Sequence, residues 1–184
     1  MMSGWRKIET PLSEEVIESL ASGDRLLLSG VVYTARDQAH RRLRAIAERN
    51  EKPPVDLTGQ VIYYMGPSPA PPGMAMGSAG PTTSARMDPF TEPMLKFGVK
   101  GMIGKGKRDR NTRELMGWYC AVYFATFGGA GAYLSVRILE SEVVAFEDLG
   151  PEAMFRLRVE DFPVIVVNDI HGGDLYEDVL RTRE

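Results

Sequence analysis

The sequence predicts a mixed α/β domain, and three observations support this class. The chain has 184 residues, a length that suits one domain able to bury its own core. Short apolar runs rich in β-branched residues alternate with segments whose apolar residues recur at helical spacing. Several of the apolar runs follow one another toward the C-terminus, so strands dominate there and a helical bundle is excluded.

The helices and strands can be placed in order. Ser13 predicts the start of a short helix, because its hydroxyl can cap the backbone and acidic residues follow it. Helical spacing predicts a longer helix at Asp37–Asn50, which Pro53-Pro54 ends. Further short helices are predicted at Phe90–Phe97, Asn111–Met116 and Gly131–Val136. Strands are predicted at Arg25–Val32, Gln60–Met65, Val99–Ile103, Trp118–Phe124, Val143–Phe146, Met154–Val159 and Val164–Asn168, with Asp161-Phe162-Pro163 separating the last two.

The composition narrows the class of function. A formal net charge of −3 argues against a general nucleic-acid binder, which usually carries a basic balance. One cysteine, Cys120, excludes an internal disulfide, and with only two histidines the chain is a poor candidate for a metal site of its own. Charged sequence follows the first residues directly, so we expect no signal peptide, and the glycines of the uncharged stretch Leu115–Val136 favour a buried strand–turn–helix over a membrane segment. We therefore expect a cytoplasmic protein that binds neither membranes nor nucleic acid.

The middle of the chain is irregular. Of the 19 glycines and 12 prolines, fifteen lie in residues 66–106. A segment of that length with so many helix and strand breakers is usually either disordered or functional. We expect this region to form active-site loops within a single domain that covers residues 1–184.

The segment Tyr33–His40 is the first candidate site, because a strand gives way to a helix there. Ligands often bind at the carboxyl end of a strand, where a helix start offers free N–H groups and Arg36 offers a fork for a carboxylate. The alternative is structural: Arg36 pairs with Asp37 or another nearby acid, Asp37 caps the helix and His40 forms a hydrogen bond in the interior.

A second candidate follows the glycines of 77–80. Pro81 suits the first position of a helix, and Thr82 would then place its hydroxyl one turn before Arg86 on the same face. The pattern predicts an anion site with a hydroxyl base or proton donor, or else a capped helix after a turn.

A third candidate is Lys105, which lies between glycines after a short strand. It either binds an anion or belongs to a basic surface turn that includes Lys107, Arg108 and Arg110.

Four motifs in this order resemble one known family. They are Gly30–His40, Tyr64–Pro67, Gly80–Met87 and Ile103–Gly106. Together they resemble the β subunit of class I, iron–sulfur-dependent fumarase, a domain shared with L-tartrate dehydratase. The resemblance runs from about Thr10 to Tyr176, and it is specific for the family but not for the substrate.

The resemblance implies a fold, an activity and a partner. The fold is a swivelling domain of β, β and α layers, and the activity is reversible hydration of fumarate to (S)-malate. A [4Fe–4S] cluster is carried by cysteines of an α subunit, so this chain alone binds no metal or cofactor. A hetero-oligomer with that α subunit is implied, with two copies of each chain as one arrangement.

The resemblance also implies roles for individual residues. The residues implied to bind the substrate carboxylates are Arg36, Thr83, Arg86 and Lys105. Thr82 resembles the threonine assigned as the base that removes the proton beside a carboxylate. Asp37 and His40 are expected to support these residues without contacting substrate. The charges suit the reaction, because a dicarboxylate that loses a proton gains negative charge and needs cations to stabilise it.

Three functions remain open at this point. The first is a fumarase β subunit, and the second is a β subunit for L-tartrate or another hydroxy-diacid on the same fold. The third, of a different class, is a non-enzymatic module that binds anions or assembles with other chains.

Overall fold

The computed structural model describes residues 4–181. The strands in this range are β1 (Arg6–Glu9), β2 (Arg25–Thr34), β3 (Val61–Tyr63), β4 (Gly101–Gly104), β5 (Val122–Ala125), β6 (Ile138–Ala145) and β7 (Met154–Asn168). The α-helices are α1 (Glu14–Glu18), α2 (Asp37–Glu48), α3 (Thr91–Lys96), α4 (Arg110–Trp118), α5 (Gly131–Ser135) and α6 (Leu175–Arg181). Two 3₁₀-helices span Ser84–Phe90 and Glu147–Glu152.

The strands form one sheet that closes on itself. β2, β3, β4 and β5 lie side by side in parallel, and β1 pairs in parallel with the first half of β2. The long strand β7 runs antiparallel to both β2 and β5, so it joins the two ends of the parallel set. β6 pairs with the first part of β7. The mixed α/β class that the sequence predicts is confirmed.

Two hydrophobic cores lie on opposite faces of the parallel strands, because successive side chains of a strand point to opposite faces. Tyr63 of β3 packs into the first core, where its ring meets Phe162 of β7 edge-to-face with centroids 5.4 Å apart. Its neighbour Ile62 packs into the second core with Leu43 of α2 and Met94 of α3. The layers are therefore β, β and α, in the order expected.

The carboxyl ends of β2, β3, β4 and β5 meet at one edge of the sheet, because these strands are parallel. Arg36 follows β2, Gly66 follows β3 and Lys105 follows β4. Cys120 precedes β5 and so lies at the opposite edge. This topology gathers segments that are far apart in sequence.

The predicted break at Asp161-Phe162-Pro163 is wrong, because β7 runs through it. One edge of β7 is paired with β2 on both sides of this point. The other edge is paired with β6 up to Val159 and with β5 from Ile165 onward. A proline is tolerated in a strand where its missing N–H has no ladder partner, and this change of partner provides such a place.

Other boundaries also differ from the sequence predictions. Trp118 ends α4 with 78% of its surface exposed instead of beginning a strand, and β5 starts only at Val122. β1 and α6 carry too little apolar periodicity to be predicted. The cap predicted at Ser13 is confirmed, since its hydroxyl accepts from Val16 N.

The uncharged stretch Leu115–Val136 forms the end of α4, then β5, a turn and α5, as the strand–turn–helix interpretation expects. Within residues 4–181 no helix has both the length and the apolar character needed to cross a membrane.

Candidate functional site

Arg36 lies in the joint between β2 and α2. It is the residue that precedes the first turn of α2, and its extended backbone turns the chain from strand to helix. Its guanidinium passes against Gly66, where an added Cβ would lie 2.8 Å from Nη1 and 2.9 Å from the carbonyl oxygen of Pro151. Any larger residue at position 66 would collide with Arg36, so Gly66 leaves the space that this side chain occupies.

Asp37 connects the two arginines of the predicted clamp. Its carboxylate accepts from Arg86 Nε at 3.1 Å and from Arg86 Nη2 at 2.5 Å, a two-bond fork. Arg36 Nε approaches the same carboxylate at 4.0 Å, a separation that allows an ion pair but not a hydrogen bond. The structure thus brings Arg36, Asp37 and Arg86 together, although Arg86 comes from a 3₁₀-helix elsewhere in the chain.

His40 supports Arg36 from inside the protein. Its ring is fully buried between Tyr64 and Phe90, and its Nδ1 lies 2.9 Å from the carbonyl oxygen of Arg36. Since a carbonyl only accepts, Nδ1 carries the proton, and the buried Nε2 has no partner among residues 4–181. Burial lowers the pKa of His40 to about 4, so the ring is neutral near pH 7.

Thr82 and Lys105 are held side by side through their backbones. Thr82 N donates to Tyr64 O at 2.7 Å, and Lys105 N donates to Thr82 O at 3.3 Å. Ser84 N returns a bond to Lys105 O at 2.9 Å, and Thr83 and Lys105 form a short parallel bridge. The two loops therefore form one unit at the carboxyl end of β4.

The local structure around Thr82 differs from the prediction. Pro81 does not begin a helix, because the 3₁₀-helix starts at Ser84 with Thr83 as the preceding residue. Thr82 consequently lies outside the helix, and the predicted one-turn relation between Thr82 and Arg86 is wrong. The reason is the bridge to β4, which keeps residues 82–83 extended.

The start of α2 is also less open than expected. Gln38 N, one of its free N–H groups, donates to a Glu152 carboxylate oxygen at 3.0 Å. An acid of the protein thus takes part of the helix start that an anion was expected to occupy. The structural alternative for Asp37 as a cap is not observed, since its carboxylate turns to Arg86.

Arg108 and Asp88 form a buried ion pair that the sequence did not indicate. Arg108 Nε contacts an Asp88 carboxylate oxygen at 2.5 Å, and the two side chains are 0% and 6% exposed. Arg108 also donates to Thr91 Oγ1 at 2.7 Å, and its guanidinium lies over the rings of Tyr64 and Tyr123. The basic run after Lys105 suggests a surface turn; the available signal was Asp88 itself, the first acid after Asp56 in a long stretch whose one other charge is Arg86.

The charges at this edge favour an anion. Arg36, Arg86 and Lys105 supply three cations, and two carboxylates lie opposite them, those of Asp37 and of Glu152 at the start of α2. Among the described residues, neither Lys105 Nζ nor Thr82 Oγ1 forms a hydrogen bond or ion pair. The side chain of Arg86 is 49% exposed and Lys105 is exposed, so both can reach a ligand.

The chain does not supply ligands for an iron–sulfur cluster. Such a cluster needs several thiolates, and the single cysteine lies at the opposite edge of the sheet. Among residues 4–181, no three His, Cys, Asp or Glu side chains are grouped so that they could hold a metal ion. The residues present do not fit the cluster.

The fold and the site define an α/β domain with cationic side chains at one edge of its sheet. The chain belongs to the family described as the fumarase C-terminus, whose model matches residues 6–179. It is 37% identical to a protein of Geobacillus stearothermophilus provisionally named class I fumarate hydratase, over 95% of this chain and 34% of that one. It is 33% identical to the aerobic class I fumarate hydratase of Salmonella typhimurium, over 96% of this chain and 31% of that one.

A relative of similar size is named for another substrate. The chain is 37% identical to a protein of Methanocaldococcus jannaschii provisionally named L(+)-tartrate dehydratase subunit beta, over 92% of this chain and 90% of that one. By contrast, the chain spans about a third of the length of the fumarate hydratases it matches.

Proposed function

We propose that this chain is the β subunit of a two-chain hydro-lyase that hydrates fumarate to (S)-malate reversibly. The observation that carries the proposal is the joint placement of Arg36 and Arg86 on Asp37, at the edge of the sheet where the backbones of Thr82 and Lys105 are also joined. The size of the relative named as a separate beta subunit supports a two-chain arrangement.

The proposed roles follow from the chemistry of each group. Arg36, Arg86 and Lys105 bind the two carboxylates of the substrate, the arginines through planar forks and the lysine as a point charge. Thr83, exposed at the bridge to β4, adds a hydroxyl to this binding surface. Asp37 and His40 hold the arginines from behind.

Thr82 is the proposed base. In the dehydration direction its oxygen takes the proton from the carbon next to a carboxylate, and the electron pair moves into that carboxylate as it becomes an enediolate. A free threonine hydroxyl is a weak base, so the neighbouring cations must stabilise its alkoxide. The same cations stabilise the extra charge on the enediolate.

The [4Fe–4S] cluster is proposed to belong to an α subunit, because the single cysteine of this chain cannot hold it and residues 4–181 group no other set of metal ligands. Thus the isolated chain is proposed to bind neither iron nor another cofactor, and the active form is a hetero-oligomer. Localisation in the cytoplasm remains part of this proposal.

L-Tartrate is the second candidate substrate, and the relative from Methanocaldococcus jannaschii favours it, because that relative has nearly the length of this chain. Tartrate carries one more hydroxyl than malate, and Thr83 Oγ1 is available to bind it.

The test is co-expression of this chain with a neighbouring gene product that carries three well-spaced cysteines, followed by anaerobic purification. Hydratase assays on fumarate, (S)-malate and L-tartrate decide between the two substrates. We expect activity from the complex and none from the chain alone. A brown, active preparation of the chain alone would contradict the division between subunits, and a stable complex inactive on all three acids would favour the non-enzymatic module.

A further inference from the structure

Tyr123 lies under the two loops of the site. It is fully buried in β5, and its hydroxyl lies 2.9 Å from Ser84 Oγ and 2.8 Å from the carbonyl oxygen of Gly106. Ser84 belongs to the segment that follows Thr82, and Gly106 follows Lys105. One hydroxyl therefore contacts the loop of the proposed base and the loop of the proposed lysine.

The direction of these two hydrogen bonds is fixed by chemistry. The carbonyl of Gly106 can only accept, so the Tyr123 hydroxyl donates to it. A phenol has one proton, which means that Ser84 Oγ–H donates to the Tyr123 oxygen. Burial raises the pKa of Tyr123, so its hydroxyl keeps the proton that this chain of bonds requires. Bonds connected in this way strengthen one another.

Small residues are needed for Ser84 to reach Tyr123. A Cβ on Gly104 would lie 1.9 Å from Ser84 Oγ, so only glycine at this position admits the serine. Gly106 has a φ of 82°, a left-handed conformation that glycine adopts without strain. The two glycines of the Gly-Lys-Gly motif thus have separate roles: Gly104 leaves room for Ser84 to reach Tyr123, and Gly106 allows the turn.

The backbone of Lys105 is held on both sides as a result. The Thr82–Ser84 segment bonds its N–H and its carbonyl, and the hydroxyl of Tyr176 accepts from Gly106 N at 3.2 Å. Tyr123 supplies the remaining bond, to the Gly106 carbonyl. Without it, the half-buried Gly106 carbonyl has no hydrogen-bond partner among residues 4–181.

We propose that Tyr123 is a positioning residue that sets the place of Lys105 relative to Thr82 through the Ser84–Tyr123–Gly106 hydrogen-bond chain. The positioning of the loop is independent of the reaction, and only its effect on substrate binding rests on the proposed function.

The first test measures amide hydrogen exchange on the full chain. Tyr123→Phe removes one oxygen and keeps the packed ring, so we expect the Lys105 and Gly106 amides to exchange about tenfold faster relative to the amides of β2. Ser84→Ala breaks only the first bond, and a smaller increase at the same amides is expected. Ser29→Ala is the control, because it removes a hydroxyl that accepts from Asp161 N far from the site. Equal acceleration over the whole sheet in Tyr123→Phe would overturn the proposal.

The second test is a double-mutant cycle on (S)-malate binding by the assembled complex. Tyr123→Phe is expected to weaken binding by about five- to tenfold, and to weaken it no further when Lys105 is already alanine. If Tyr123→Phe weakened malate binding by the same factor with and without the Lys105 side chain, Tyr123 would not act through Lys105, and the proposal would be overturned.

The two tests distinguish failure of the proposed function from failure of the positioning role. If Lys105→Ala binds malate normally, the clamp of the proposed function fails at Lys105, and the exchange experiment alone decides whether Tyr123 positions the loop. If Tyr123→Phe leaves exchange at Lys105 and Gly106 unchanged, the positioning role fails whatever the substrate.

Discussion

The carboxylate of Asp37 holds the guanidinium of Arg86 by two hydrogen bonds, one to Nε and one to Nη2. Asp37 is the first residue of α2, and Arg86 lies on the 3₁₀-helix Ser84–Phe90, so the pair joins two elements of the site. With the Nε–Nη2 edge taken, Arg86 has its Nη1 side left for a ligand. Asp37 therefore determines which face of the arginine a substrate meets.

Replacement of Asp37 distinguishes its effect on the orientation of Arg86 from its effect on the net charge of the site. Asp37→Asn is expected to lower kcat/KM of the complex about tenfold, because Arg86 loses one charge-assisted bond and its fixed orientation. Sulfate affinity of the same variant should rise, since the local charge becomes more positive by one. Steady-state kinetics and a sulfate titration check the two effects, and equal losses for substrate and sulfate would contradict an orienting role.

Loss of either clamp arginine is expected to weaken the reaction. Arg36→Ala and Arg86→Ala should each lower kcat/KM about 10- to 150-fold, the equivalent of one charged hydrogen bond of roughly 1.5–3 kcal/mol. Arg110→Ala is the matched control, because its side chain is 86% exposed and, within residues 4–181, pairs with no acid except Glu114 of the same helix. Wild-type kcat/KM in a clamp variant would mark that arginine as structural.

Thr82 is tested by two substitutions that differ in one oxygen. Thr82→Val is expected to lower kcat by about 10²–10⁴ with little change in malate binding, as for removal of a general base. Thr82→Ser should keep part of the rate. Single-turnover measurements on the complex give the rates, and urea unfolding gives the stability. Normal turnover by the valine variant would assign the base to the α subunit.

His40 predicts a pH dependence of stability. Its folded pKa of about 4 lies below its ordinary value of 6.5, so in this range the unfolded chain binds the additional proton. The free energy of unfolding should therefore fall as pH drops from 6.5 toward 4, by at most about 3 kcal/mol from this group.

His40→Asn preserves an N–H for the Arg36 carbonyl but does not titrate. Urea unfolding of wild type and variant at several pH values gives the comparison, since carboxylates contribute equally to both. The difference between the two proteins should shrink as the pH is lowered. A difference that stays constant with pH would contradict a buried neutral His40.

The Asp88–Arg108 pair predicts a large effect on stability. Asp88→Asn leaves a fully buried guanidinium without its counter-charge, and breaking such a pair costs about 3–5 kcal/mol. Asp148→Asn is the control, because Asp148 also pairs with an arginine, Arg42, but at an exposed site, where solvent screening leaves little stability to lose. Similar losses in urea unfolding for the two variants would contradict the assigned burial.

The fold class could be predicted because the parallel strands are apolar on both faces. Ile62 and Tyr63 enter different cores, and that pattern is visible as a continuous apolar run. β1 could not be predicted, since only Ile8 of its four residues is buried. The continuity of β7 depends on a change of strand partner, which the local sequence around Pro163 does not record.

The residues of the candidate site can be named from the sequence, but the contacts between them cannot. Arg36 could be placed at the end of a strand from sequence alone, whereas its contact with Gly66 depends on how β2 and β3 pair. Asp37 pairs with Arg86, which is distant in sequence. The sequence near Asp37 instead indicates a cap for the helix that begins there. Arg108 looks like one of several surface cations until the fold places it beneath Tyr64 and Tyr123.

Closure of the sheet by β7 makes the order of synthesis matter. Arg25 at the start of β2 pairs with Ile165, so the sheet is complete only when segments from opposite parts of the chain have met. Such non-local pairing is slow. While the ribosome makes the middle of the chain, one side of β2 stays unpaired and can recruit the strand of another nascent copy. Yield in the cell should therefore depend on elongation rate and chaperone supply as well as on the final stability.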